Sequence, residues 1–155
     1  MNIKKESFKA TLILDTHEIK IYDGLTKSIS KWWSEMIEGS AEHMGESFTI
    51  RFGPNVFKTI LVEELVIGKK VVWQVVDAFI DLPSLVNKSE WVSTFIIWEI
   101  SSSASGATLE LIHVGLNLDM ECYHVCVAGW QSFLHSFEKF VTTGVGDPFR
   151  LSDSN

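Results

Sequence analysis

Residues 120–143 read MECYHVCVAGWQSFLHSFEKFVTT, and this stretch decides the fold of the chain. Apolar side chains recur in it every three or four residues while polar ones fill the other side, a period that predicts a long amphipathic helix. The apolar stripe consists of Tyr123, Val127, Trp130, Leu134, Phe137 and Val141. Gly144 and Pro148 follow and predict the end of the helix. Its broad aromatic face is suited to lying across a sheet.

The sequence before this helix predicts an antiparallel sheet, because its apolar residues alternate with period two. Two short helices are expected between the first and second strands, one capped by Asp15 and ending near Thr26, the other over 28–35. Almost all of the sheet therefore precedes the long helix, which predicts an α+β fold in a single domain spanning 1–155. Six strands are expected, over residues 7–14, 46–52, 56–66, 71–77, 91–100 and 107–114.

Charge and hydropathy exclude several classes of partner. The net charge is −7, and no cluster of Lys or Arg forms a basic stripe, so binding to nucleic acid or to anionic lipid is disfavoured. No run reaches the roughly 18 to 20 apolar residues of a membrane span, and the N-terminus lacks the apolar segment of a signal peptide. We therefore expect a cytoplasmic protein with no membrane insertion.

Motifs that carry catalysis, nucleotides or metals are absent from the sequence. There is no nucleophile elbow, phosphate-binding loop, dinucleotide fingerprint or zinc-protease helix. Cys122 and Cys126 are four residues apart, so they share one helix face, whereas His124 points elsewhere. We expect neither a metal site nor a cofactor, and the thiols are interpreted as small buried side chains.

Three stretches resemble a known superfamily: LTKSISKWW at 25–33, GATLELIHVGL at 106–116 and GWQSFLHSFEKFVTTGVGDPF at 129–149. They are similar to the SRPBCC superfamily (START and birch-pollen-allergen-like), in the branch of the activator of the heat-shock-protein-90 ATPase. The most specific part is the Gly-Trp pair within the last helix together with its Gly-x-Gly-x-Pro exit. The resemblance implies a helix-grip fold, a curved sheet around the C-terminal helix with a cavity between them. In many relatives that cavity holds an apolar small molecule.

Candidate residues for the lining of such a cavity follow from strand parity, when charged and amide side chains are kept on the outer face. The same residues also make sense as a core that packs only against itself, and the sequence leaves both readings open. The sheet would contribute Phe48, Ile50, Phe52, Trp73, Val75, Ile96, Trp98, Leu109, Leu111 and His113, and the helix Tyr123, Trp130, Phe133, Leu134 and Phe137.

Three functions are compatible with this arrangement. The first is the binding of an apolar small molecule (a lipid, an aromatic compound or a polyketide-like ligand) in a cavity of at least about 300 Å³. The second is a cyclase- or hydrolase-like enzyme in which His113 and a tyrosine face the open space of the cavity and act there as general acid and base. The third is an interaction module whose partner is a chaperone, another protein or a second copy of the chain.

Overall fold

The computed structural model describes residues 7–151. It consists of a seven-stranded antiparallel sheet packed against a long C-terminal helix. The order across the sheet is β1-β7-β6-β5-β4-β3-β2, so sequential strands are neighbours except that β1 closes the far edge beside β7. The strands are β1 (Ser7–Leu14), β2 (Ile37–Gly39), β3 (Ser47–Arg51), β4 (Val56–Val66), β5 (Lys70–Ile80), β6 (Phe95–Ser103) and β7 (Gly106–Val114).

The long helix α2 spans Tyr123–Thr143 and lays its apolar stripe against the sheet. It begins three residues later than expected, because the chain up to Cys122 forms turns in which the amide of Tyr123 donates to the carbonyl of Met120. Its end agrees with the prediction. Gly144 adopts φ 90°, and its N–H donates to the carbonyl of Phe140.

The expectation of six strands is wrong by one. β2 is the strand that is absent from the predicted set, and it pairs with β3 through only three residues. A strand so short shows no readable alternation. β6 also starts at Phe95, since Trp91 to Thr94 form a turn in which the amide and hydroxyl of Thr94 both donate to the carbonyl of Trp91.

A bulge in β5 explains why that strand runs past its predicted end at residue 77. The register against β4 shifts between Thr59 and Ile60, so that Thr59 lies opposite Asp77 but Ile60 lies opposite Val75. Val76, the extra residue, breaks the period of two, so the alternation of buried and exposed residues is interrupted there. Beyond the bulge the strand continues to Ile80.

The two short helices also differ from the prediction. Helix α1 spans Glu18–Thr26, and its N-cap is His17 and not Asp15. Nδ1 of His17 accepts a hydrogen bond from the amide of Ile19. The second is a single 3-10 turn, Ile29–Lys31. Within residues 7–151 no helix is long and apolar enough to cross a membrane.

The segment after α2 holds this 3-10 turn in place. The amide of Phe149 donates to the carbonyl of Trp33, and the amide of Glu35 donates back to Phe149. A Cβ at Gly146 would lie 2.5 Å from the carbonyl oxygen of Lys31, so only glycine fits this approach. The Gly-x-Gly-x-Pro exit therefore positions the Trp32–Trp33 pair.

Candidate functional site

An open cavity of about 200 Å³ lies between the sheet, the N-terminal half of α2 and the connection from β5 to β6. One wall is aliphatic and includes Val125, which is half exposed and leaves the cavity open to solvent. Lys58, Cys126 and Gly129 complete the lining. Five aromatic side chains form most of the remaining wall: Trp33, Phe52, Trp91, Trp130 and Phe133.

The volume limits what the cavity can hold. It is smaller than the roughly 300 Å³ that the sequence-based hypothesis required and at which pockets for drug-sized ligands begin, so the expectation about its size is wrong. A large lipid or polycyclic molecule would not be enclosed. One aromatic ring, a short acyl chain or the end of a longer chain suits a space of this size with an open side.

Stacked indoles keep the aromatic wall rigid. Trp130 stacks on Trp33 with ring centroids 5.4 Å apart and on Trp91 with centroids 5.9 Å apart. Trp33 also stacks on Trp73, a fully buried side chain of β5. Such offset stacks add about 0.5–1.5 kcal/mol per pair beyond simple burial. The wall is therefore formed before any ligand arrives.

His113 lies behind this wall, not in the cavity. It is fully buried on β7, and Nδ1 accepts from Nε1 of Trp130 at 3.0 Å. The hydroxyl of Thr94 donates to the carbonyl of Trp91, so it accepts from Nε2 of His113 at 2.9 Å. Burial, and secondarily the positive charge of Lys58, lowers the pKa of His113 to about 3. Both ring nitrogens of this neutral imidazole are hydrogen-bonded within the protein, so neither is free to exchange a proton with a ligand.

Few of the predicted lining residues reach the cavity. Phe52, Trp130 and Phe133 line the cavity. Tyr123 is partly buried, close to His124 on α2, and does not reach the cavity wall. The others pack within the hydrophobic core or, for His113, bond within it: Phe48, Ile50, Trp73, Val75, Ile96, Trp98, Leu109, Leu111, His113, Leu134 and Phe137.

Sequence reasoning missed nine of the twelve residues that line the cavity, and the most informative of these are Trp33, Trp91 and Lys58. Trp91 was assigned to a strand, although it lies in the turn before β6. Lys58 was excluded by the assumption that charged side chains face outward. The overlooked signal is parity, because Lys58 alternates with the inward residues Ile60 and Val62 on β4.

Two buried thiols, Cys122 and Cys126, lie at the N-terminal end of α2. Nε1 of Trp91 donates to Sγ of Cys126 at 3.1 Å. The interaction between the thiols of Cys122 and Cys126 lowers the pKa of Cys126 and raises that of Cys122. No three His, Cys, Asp or Glu side chains come together as a metal site in the described part of the chain. Only Cys126 of the pair faces the cavity.

Comparison with known proteins identifies the fold. No family model and no curated protein matches the sequence. Among solved structures, the Aha1 dimer from Colwellia psychrerythraea is 21% identical, with 90% of this chain and 98% of that chain covered and a TM-score of 0.72. Protein MLL2253 from Mesorhizobium loti is 15% identical over 88% of this chain and 96% of that chain, also with a TM-score of 0.72.

DynU16, from the dynemicin biosynthetic locus, has the same TM-score of 0.72 at 14% identity. The match covers 91% of this chain but only 49% of DynU16. Identities this low show a common fold and carry no activity from one protein to another. The resemblance seen in the sequence is confirmed at the level of the fold, because this chain shares the fold of the Aha1 structure.

Proposed function

We propose that this protein binds a small apolar molecule in the cavity between its sheet and α2. The observation that carries the proposal is the aromatic wall, in which Trp33, Trp91 and Trp130 are stacked and held in place while one side stays open. When an apolar group displaces water from open apolar space beside rigid aromatic rings, binding is favourable because apolar surface is removed from water. A single ring or a short acyl chain matches the volume.

Catalysis by His113 is not favoured by this geometry. Its two nitrogens are committed to Trp130 and Thr94, and the ring has no exposed surface. A cyclase- or hydrolase-like reaction would need another acid–base group in the cavity. The binding of a ligand requires no such group.

Gly129 offers a direct test of ligand binding. It lies on the cavity wall, and a Cβ at this position would meet no heavy atom within 4 Å. Gly129→Leu would therefore put a side chain into the cavity while raising helix propensity by roughly 1 kcal/mol. Ala128→Leu, one position earlier on the exposed side, is the matched control.

The probes are neutral, propylbenzene and hexan-1-ol, so that charge plays no part. Titration calorimetry on the wild type should show saturable binding to one site. Gly129→Leu should weaken it by at least about tenfold, and Ala128→Leu should leave it unchanged. If Gly129→Leu binds as tightly as the wild type, or if the wild type binds neither probe, the proposal is wrong.

A homodimer is the protein partner that the comparisons suggest, because the Aha1 structure from Colwellia psychrerythraea is described as a dimer. We extend this to the present chain only as a proposal. Light scattering coupled to size exclusion would decide it, since a monomer of 17.5 kDa is readily separated from a dimer.

A further inference from the structure

Lys58 is a buried charge with no partner of opposite charge. It lies on the inward face of β4 between Ile50 of β3 and Ala78 of β5, and only 8% of the residue is exposed. Among residues 7–151, no carboxylate lies within ion-pair distance of Lys58, and no hydrogen bond from its ammonium group occurs. Lysines are almost never buried this deeply unless they are paired.

A neighbouring lysine shows how this chain satisfies a partly buried ammonium. Lys88 donates to the carbonyls of Leu82 and Leu85 at 2.7 and 2.8 Å, and Asp81 lies 3.6 Å away. Lys58, more deeply buried, has none of these partners. Its Nζ instead lies 4.6 Å from the ring centroid of Phe52 and 4.3 Å from that of Trp91. Both rings belong to the cavity wall, so the ammonium borders the open space.

The two rings favour a cation but do not replace an anion. A cation held between aromatic faces keeps its charge, and its remaining N–H groups can still donate. The other titratable groups near it are the thiols of Cys122 and Cys126 on α2 and the neutral His113 on β7. Burial lowers the pKa of Lys58 to about 8, although the two thiols act in the opposite direction. At neutral pH the charged form still predominates.

We infer that the cavity selects a small apolar carboxylic acid, whose carboxylate pairs with the ammonium of Lys58 while its apolar part lies against the aromatic wall. This inference rests on the proposed function and specifies its ligand class. A carboxylate fits better than a phosphate monoester, because a single lysine supplies one positive charge and the remaining lining is apolar apart from Cys126. The ion pair would form in a poorly solvated place, where charge attraction is strong.

The test compares acids with amides of the same shape: 3-phenylpropanoate with 3-phenylpropanamide, and hexanoate with hexanamide. Titration calorimetry at pH 7 is run on the intact wild type, on Lys58→Met and on Lys20→Met, the last being an exposed lysine of α1. The wild type and Lys20→Met should bind each acid at least about tenfold more tightly than its amide. Lys58→Met should lose this preference and bind each acid no more tightly than its amide, because methionine keeps the apolar stem and loses the charge.

The outcomes distinguish a failure of the inference about Lys58 from a failure of the proposed function. If the wild type binds acid and amide equally well, the cavity binds apolar groups and the inference about Lys58 is wrong. If Lys58→Met keeps the preference for the acid, Lys58 is not its partner. If neither acid nor amide binds the wild type, both the inference and the proposed function fail.

The wild type also provides a test that needs no variant at Lys58. Its affinity for 3-phenylpropanoate should decline once the pH exceeds about 8, where free Lys58 loses its proton. The same titration on Cys126→Ala excludes a contribution from the thiol. An affinity that stays constant to pH 10 in both proteins would overturn the inference.

Discussion

Nε1 of Trp130 lies 3.0 Å from Nδ1 of His113 and donates a hydrogen bond across the contact between α2 and β7. The chain of bonds continues from Nε2 of His113 to the hydroxyl of Thr94, which donates to the carbonyl of Trp91. Trp91 and Trp130 are also stacked on each other. Two rings of the cavity wall are thus fixed by one buried polar network, which links the core to the candidate site.

Substitution of Trp130 should show both of its roles. Trp130→Ala removes a side chain that is 2% exposed and leaves Nδ1 of His113 unpaired, so we expect a loss of about 3–5 kcal/mol in the free energy of unfolding. Trp130→Phe keeps a ring but not the N–H, and should cost less. Urea denaturation measures both. A loss below about 1 kcal/mol in Trp130→Ala would contradict the packing described here.

Low pH should destabilise the protein through His113. In the folded state its pKa is about 3, against about 6.5 in the unfolded chain, so the unfolded state binds more protons between these values. The neutral imidazole therefore contributes stability that is complete above pH 6.5 and is lost as the pH falls towards 3. The limiting slope for one proton is about 1.4 kcal/mol per pH unit.

Carboxylates titrate in the same pH range as His113 and also change the stability. Their contribution is the same in the wild type and in His113→Gln, so the difference between the two proteins isolates the effect of His113. The difference in free energy of unfolding between wild type and His113→Gln should be constant above pH 7 and should shift against the wild type below pH 6. A difference that stays constant down to pH 4 would mean that His113 is not buried in its neutral form.

The fold follows largely from periodicity. The stripe of α2 and the stop at Gly144 are local properties of the chain, and the structure agrees with both. Errors occur where a local pattern is interrupted. The bulge at Val76 hides the end of β5, and the three residues of β2 are too few to carry a pattern. The second short helix reduces to a 3-10 turn that long-range bonds hold, including one from Ser136 Oγ to the carbonyl of Trp32.

The cavity was less accessible to sequence reasoning than the fold. Parity tells which side chains point inward, but inward residues such as Trp73 and Phe137 fill the core, and only packing decides where space remains. Trp33 and Trp91 come from turns, where no period applies. Lys58 had the correct parity and was set aside because of its charge. An inward lysine is unfavourable for stability, which makes it a feature to look for in a binding site.

Lys58→Met should stabilise the protein at pH 7. Burial lowers the pKa of Lys58 from 10.5 to about 8, which corresponds to a cost of roughly 3 kcal/mol, partly offset by cation–π contacts worth up to about 2 kcal/mol with Phe52 and Trp91. We therefore expect a gain of about 1–3 kcal/mol by urea denaturation. The exposed Lys20→Met should change stability by less than about 0.5 kcal/mol.

The gain in stability from Lys58→Met should become smaller as the pH rises above 8. Below pH 8 Lys58 is charged in both states, and the full cost is present. Between pH 8 and 10.5 the unfolded state binds more protons, so the wild type gains stability relative to Lys58→Met as the pH rises. A variant less stable than the wild type at pH 7 would show that the cation–π contacts outweigh the burial.

Thiol alkylation should report on the cavity, because the two cysteines of the chain form a natural pair of target and control. Cys126 lines the cavity and has a lowered pKa, whereas Cys122 is 1% exposed and has a raised one. Iodoacetamide, followed by peptide mass mapping, should therefore modify Cys126 well before Cys122. Saturating 3-phenylpropanoate should slow the reaction at Cys126, and so should Gly129→Leu without any ligand, since each fills the space through which the reagent reaches the sulfur. Equal rates at the two cysteines would mean that reagents reach them by unfolding, and that the cavity is closed to small molecules in solution.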